Sequence, residues 1–403
     1  MNLIIFEDHR SEGFYPITIS HPVFDLHCGC FNALERLKRL FRPESITLVC
    51  REFLAEIAGE RHGLPVNDFA RLEGDCLLLN AAIKPTREIR QRLLQLEQGS
   101  SIYCDDILIG AILGAEKIKT ISAQKFITGD FSFVDTGRRE EISDALFEHL
   151  WDLVNANGEI ITEDIELIID EADWKTIANK DESDNEVYIH PEASVQAGSF
   201  LDFSRGPIVI DEQATVEPRS LIQGPAYIGR GSTVMGGIIR EGCSLGPVCK
   251  VGGELEESII LGYSNKCHEG FIGHAYLGEW VNLGALTTNS DLKNNYSPIA
   301  VHLQGRAIAT GSIKAGSFIG DHTKTGIGTL FNTGIVIGFC CNLYGGMLFE
   351  DKEIGHFKWG KPGSLTDYRV DKAIEVARAV TARRGLQFTE AAADLFRKIS
   401  FLK

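Results

Sequence analysis

Between residues 265 and 296 the chain gathers side chains that could move a proton and an acyl group. They are Asn265, Lys266, His268, Glu269, His274 and Asn282, followed by Asn289, Asp291, Lys293, Asn294, Asn295 and Tyr296. A neutral imidazole titrates near neutrality and can take a proton from an attacking amine, while amide and backbone N–H donors stabilise the oxyanion that forms. Those are the needs of acyl transfer to an amine. Taken singly, each Asn or Lys is an ordinary solvated loop residue; their concentration in one stretch is what points to chemistry. His274 and His322 are secondary candidates for the base, each near a repeat position where a packed or solvent-facing histidine is the commoner case.

Something stiff must hold such a cluster. Ile313, Ile319, Thr325, Phe331, Ile337 and Leu343 recur six residues apart, and Ile210, Val216, Ile222, Ile228 and Val234 repeat the spacing. A six-residue period fits neither a helix nor an alternating strand, so it predicts short strands separated by tight corners and stacked as a parallel β-helix. Ile189, Val195 and Leu201 open the series, which breaks at 202–207. Between 236 and 298 the period slips at 252–254, 263–273 and 287–297. Loops projected from a rigid stack are where binding groups are carried, and these slips contain the polar cluster.

Upstream, apolar runs at 3–6, 46–50 and 76–79 read as buried strands, and 31–41 and 87–96 carry apolar residues at helical spacing. That alternation predicts an α/β layer with a largely parallel sheet over residues 1–180. The charged run KDESDNE at 180–186 reads as a linker, residues 187–360 as the β-helix, and 364–403 as two helices that cap or brace the open end of the stack. With 403 residues and a net charge of -16, the chain lacks the clustered Lys and Arg that nucleic acid requires. No stretch approaches a bilayer span, so a cytoplasmic protein without a membrane partner is expected. The ten cysteines show no ligand spacing and read as free buried thiols.

Residues 187–346 resemble the left-handed β-helix of hexapeptide acyltransferases. The segment 252–296 is similar to the acetyltransferase half of the bifunctional N-acetylglucosamine-1-phosphate uridylyltransferase/glucosamine-1-phosphate acetyltransferase family, closest to an alternative branch of it. The family motif H-L-x-Y-[LV]-G falls on His268, Glu269, Gly270, Phe271, Ile272 and Gly273, which implies that His268 is the general base. V-N-x-G-A-G-T falls on Val281 to Thr287 and makes Asn282 the active-site asparagine, while Asn295 and Tyr296 resemble a later substrate-contacting pair. The sequence departs from the pattern at Phe271, at Leu286 and at Glu256, where the family has a tyrosine, a glycine and a sugar-phosphate lysine. Arg240 and Lys266, with Asn289, are the candidates to supply the missing substrate contacts. By the same likeness acetyl-CoA would lie along 317–324 and 338–346, with Asp321, Lys324 and Gly345 as contacts, and the molecule would be a homotrimer with its site between subunits.

The first domain resembles a degenerate sugar nucleotidyltransferase, a Rossmann-like α/β fold, through residues 16–40 and 151–164. The family's glycine-rich phosphate loop is absent: after Phe6 come Glu7, Asp8, His9 and Arg10. GDCLLLNA at 74–81 puts Asn80 near the strand end where the family has a Mg²⁺-binding aspartate. Glu7, Asp8, Arg10 and Asn80 are the nucleotide-site candidates, with Asp25 and Asp75 as further acids for Mg²⁺. Three readings stay open for this half: an active nucleotidyltransferase, a nucleotide-sugar binding module, or a structural platform. For the whole chain the expectation is N-acetylation of an amino-sugar phosphate, with nucleotide coupling by the first domain if active. The alternative is a non-catalytic sugar-nucleotide sensor or scaffold.

Overall fold

The computed structural model describes residues 2–135, 137–169, 173–178 and 186–402; the expected linker at 180–186 lies outside them except for Glu186. The chain forms two compact units. One comprises Met1–Phe14, Ser20–Leu26 and Phe31–His149, the other Tyr15–Ile19, His27–Cys30 and Leu150–Lys403. No described helix is long and apolar enough to cross a membrane. All ten cysteines are free, and all but Cys267 are buried.

In the first unit the apolar runs become strands because their side chains are buried. Asn2–Phe6 pairs in parallel with Ser45–Val49 and with Asp75–Asn80. The sheet continues with antiparallel Ile107–Gly114 and Ser100–Cys104, then with Arg138–Glu141 parallel to Ser100–Cys104, so it is mixed. Helix Ala33–Phe41 begins where the Asn32 side chain accepts the Glu35 N–H, and Arg87–Leu94 where Thr86 accepts that of Ile89. A third helix, Glu52–His62, breaks the apolar periodicity and was not anticipated. On one side of the sheet Phe6, Phe126, Phe131 and Phe133 form a tilted aromatic cluster with centroids 5.0 to 6.3 Å apart.

The second unit is a parallel solenoid of three faces. On one face Ile210, Ile228, Leu245, Ile260, Leu277, Ile319, Ile337 and Ile354 pair in register and are all buried. A second inward column runs Val216, Val234, Val251, Lys266, and a third runs Ile222, Ile239, Leu255, Ile272. Three residues beyond each member of the first column the chain turns a corner. There Gln213, Val248, Tyr263, Trp280, His322, Cys340 and Phe357 all adopt left-handed φ between 50° and 59°. Non-glycine residues tolerate this conformation only where neighbours enforce it, and the stacked coils do so here.

Ile319, Thr325, Phe331, Ile337 and Leu343 are buried as the spacing predicts, but Ile313 is 46% exposed and belongs to no strand. The register explains why. Successive members of the first column lie 15 to 18 residues apart, except that Leu277 pairs with Ile319, 42 residues on. Residues 290–316 leave the stack as one excursion with its own hairpin, Ala300–Leu303 against Arg306–Ala309, and Ile313 lies on its return arm.

Helix Leu150–Ile168 belongs to the solenoid unit, which moves the compact boundary upstream of the expected residue 180. Its Asn157 amide donates to Gly242 O (2.8 Å) and Ser244 Oγ (2.9 Å) and accepts from Gly29 N (2.7 Å), while Trp151 meets Phe318 edge-on at 5.9 Å. At the other end helices Val370–Ala382 and Glu390–Phe401 follow the hairpin of Lys358–Lys361 and Ser364–Asp367. They brace a side of the last coils rather than closing the stack, since Phe396 packs on His322 (4.9 Å), Phe339 (4.7 Å) and Phe357 (6.1 Å).

Candidate functional site

His268 lies exposed on the corner after strand Asn265–Lys266, and its imidazole has no hydrogen-bond partner among the described residues. That corner is held from beneath. Lys266 occupies the inward column after Val251 and is only 1% exposed, yet its stem carries the ammonium to the carbonyl oxygens of His268 and, at 3.0 Å, Glu269. Burial pushes its pKa down to about 8, against a smaller opposing pull from Glu269. The expectation that Lys266 contacts substrate is corrected by this placement: the hexad register turns it inward.

Asn289 has the same history. It takes the inward place of the third column, paired with Phe331, and its amide closes on Gly273, accepting that N–H at 2.9 Å and donating to the carbonyl at 2.9 Å. It is a buried structural residue rather than a substrate contact. Asn282 does face outward. It stands in the outer row Asn265, Asn282, Lys324, one coil from the His268 corner, with its Oδ1 accepting from Asn265 Nδ2 (3.2 Å). Asn265 Oδ1 in turn accepts from Arg384 Nη2 (2.8 Å), a residue that no repeat pattern could have flagged.

Arg240 is committed to acids: it pairs with Glu254 and lies 3.9 Å from Glu256. Lys314 reaches Glu256 from the excursion at 2.9 Å. Beside them, His274 is clamped between Glu257 (3.0 Å) and Asp291 (2.8 Å). Burial would lower its pKa, but the two carboxylates prevail and raise it to about 9, so it is an imidazolium at neutral pH and not a base. His322 is likewise removed as a base, stacked on Trp280 (6.1 Å, 8° between planes) and covered by Phe396. Asn295 and Tyr296 lie exposed on the excursion, beside an open depression of about 400 Å³ that Asn295 lines with Lys293, Asn332 and Thr333.

Of the expected cofactor contacts, Asp321 is buried and its Oδ1 accepts the Glu279 N–H at 2.8 Å. Lys324 directs its ammonium to His322 O (2.9 Å) and Trp280 O (3.4 Å), and burial lowers its pKa. Both serve the corner that holds the aromatic stack. Gly345 is exposed, one residue before Gly346, which stacks on Gly328 in the corner row that begins at Glu269 and continues through Leu286. On or beside that row, at the same corner, Leu286, Ile327 and Met347 project into solvent, Ile327 at 72% exposure.

In the first unit Asp8, Arg10 and Asn80 meet at adjacent ends of the parallel strands, where Phe6 pairs with Asn80. Asp8 Oδ1 accepts from Arg10 N (2.9 Å) and Nε (3.0 Å), and Oδ2 from Arg10 Nη2 (2.7 Å) and Asn80 Nδ2 (2.7 Å). Burial would raise the Asp8 pKa, but Arg10 and Asn80 hold it below the ordinary value. Glu7 is fully buried and equally saturated, by Val23 N (2.9 Å), Arg51 N (2.7 Å), Arg51 Nε (2.8 Å) and Arg51 Nη2 (3.2 Å). A carboxylate offers about four lone-pair sites. Neither residue therefore presents a free oxygen, and the arrangement does not fit Mg²⁺ as the first domain's metal. Asp25 is taken by Arg61 (3.0 Å) and His62 (2.7 Å), and Asp75 sits at the far end of its strand from Asn80.

Residues 3–173 match the family described as sugar nucleotidyl transferase. A bifunctional sugar-1-phosphate nucleotidylyltransferase/acetyltransferase from Sulfurisphaera tokodaii is 30% identical over 200 residues, 47% of this chain and 47% of its own. The bifunctional protein GlmU of Rippkaea orientalis is 29% identical over 167 residues, 37% of this chain and 32% of its own. The matched stretches thus span half the length of these relatives or less. Among solved structures, a UDP-N-acetylglucosamine acyltransferase from Campylobacter jejuni aligns with 53% of this chain and 96% of its own at 14% identity, with a TM-score of 0.20. The chain therefore resembles the sugar nucleotidyl transferase family over residues 3–173, and a parallel solenoid follows.

Proposed function

We propose that the chain is a transferase of nucleotide-sugar synthesis whose solenoid N-acetylates an amino-sugar phosphate of the glucosamine-1-phosphate kind, with acetyl-CoA as co-substrate. The observation that carries this reading is the exposed His268 imidazole, one coil from the outward amide of Asn282. The amine attacks the thioester carbon and His268 accepts its proton. Asn282 Nδ2 and backbone N–H donors stabilise the tetrahedral oxyanion. Collapse of the intermediate forms the amide, breaks the carbon–sulfur bond and expels the CoA thiolate, which takes the proton from the imidazolium. The solvent-facing ridge of Leu286, Ile327 and Met347, with Gly345, suits the apolar stretch of a pantetheine arm. Asn295 and Tyr296 on the excursion are in a position to contact sugar, and a homotrimer would bring the excursion of one copy to the ridge of another.

Acetyl-CoA turnover with glucosamine-1-phosphate, compared between the wild type and His268→Ala, tests the proposal. Equal release of CoA by both proteins sinks it and leaves the sensor or scaffold reading. For the first domain, the saturation of Asp8 and Glu7 favours binding of a nucleotide sugar without turnover. Formation of a nucleotide sugar from sugar-1-phosphate and nucleoside triphosphate with Mg²⁺ would reverse that reading.

A further inference from the structure

We infer that Arg384 is a positioning residue for Asn282, acting through Asn265 to present an N–H donor at the site. The inference rests on the acyl-transfer reading above, in which that donor meets an oxyanion. Arg384 Nη2 donates to Asn265 Oδ1 at 2.8 Å, and Asn265 Nδ2 donates to Asn282 Oδ1 at 3.2 Å. The two ends of an asparagine amide have nearly the same shape, so geometry alone rarely fixes which is oxygen. Chemistry fixes it here. A guanidinium is a donor only, so the end of Asn265 that faces it is the oxygen. The Asn265 nitrogen then faces Asn282 and requires an oxygen there.

Asn282 Nδ2 is left as the free end, without a hydrogen-bond partner among the described residues. Without the relay, Asn282 would turn freely and present its carbonyl oxygen to a developing negative charge for part of the time. Arg384 itself is fixed by the turn that ends helix Val370–Ala382, where its N–H donates to the buried Thr381 at 3.0 Å. The C-terminal segment is thereby tied to the amide row of the solenoid.

Asn265→Asp tests the relay. A carboxylate still accepts from Arg384 but cannot donate, so Asn282 must turn its nitrogen inward. The expected result is a fall of about 10²-fold in kcat for acetyl transfer, on the scale of one lost oxyanion donor, with KM within about twofold and no loss of melting temperature. Arg384→Gln, which both donates and accepts, should lower kcat by less, and Arg384→Lys should restore most of it. Wild-type kcat in N265D overturns the inference. A second readout needs no turnover: in ¹⁵N-asparagine-labelled protein the Asn282 side-chain amide, identified by its loss in N282D, should exchange with solvent more slowly in N265D than in the wild type. Unchanged exchange also overturns the relay, even where acetyl transfer is confirmed. If the wild type fails to acetylate glucosamine-1-phosphate, the functional reading falls and the exchange experiment still decides the relay.

Discussion

Lys266 and Val251 are register partners in one inward column of the solenoid, so a lysine stem fills the place that valine fills one coil earlier. Replacing a buried charge with an apolar side chain of similar volume is often neutral or stabilising, and the carbonyls it leaves lie on an exposed corner where water can serve them. Lys266→Met should therefore keep or raise the melting temperature by a few degrees. The same change frees the His268 corner, and kcat for acetyl transfer should fall about tenfold. Differential scanning fluorimetry and steady-state kinetics on one preparation check both signs.

His274 gives a pH signature. Its folded pKa of about 9 lies above the ordinary 6.5, so the folded state binds the proton more tightly. The stabilisation is complete below pH 6.5 and is lost as the pH rises through 9. Lys266 acts oppositely, because its folded pKa is depressed to about 8 from 10.5, and stability from that group rises between those values. Chemical denaturation from pH 6 to 9 should show a decline in the wild type that His274→Gln flattens.

The hexad register is tested by a pair of isoleucines. Ile228→Ala opens a cavity in a fully buried column and should cost about 2–5 kcal/mol. Ile313→Ala, on the exposed arm of the excursion, should change stability by no more than about 0.5 kcal/mol. Equal losses in urea unfolding would contradict the assignment of Ile313 to the excursion.

Glu7 separates a structural acid from a nucleotide ligand. Glu7→Gln removes a charge that Arg51 faces and replaces acceptor oxygen with a donor opposite backbone N–H groups. A loss of about 3–5 kcal/mol is expected from breaking this buried pair. Asp8→Asn, in an equally buried pair with Arg10, should cost a similar amount, and nucleotide-sugar binding by the folded protein, read by isothermal calorimetry, should stay unchanged because neither acid offers a free oxygen.

Much of the solenoid was legible because its period is a direct physical demand: every sixth side chain must fill the same narrow interior. The same rule, followed through the slips, would have turned Lys266 and Asn289 inward, but a lysine and an asparagine in a polar stretch mimic surface residues. Ile313 misled for the opposite reason, since six-residue spacing to Ile319 is met by chance across the edge of the excursion. At the proposed site, the family likeness singles out His268 and Asn282, and both face outward. Arg384 could not, because its relation to Asn265 spans 119 residues and depends on where a helix ends. In the first domain, adjacent acids after a buried strand read equally as ligands or as ordinary strand-end charges, and the contacts with Arg10 and Arg51 depend on the fold.

Leu277 meets Ile319 as though nothing stood between them, and both feet of the detour are tied down, Asp291 to His274 and Lys314 to Glu256. The detour is in effect a module: its tip can be shortened, lengthened or exchanged while the prism keeps its phase. If the excursion meets the acceptor as proposed, residues 293–309 are free to vary almost independently of folding, and a graft of that segment from a relative should transplant specificity and leave the melting curve where it was.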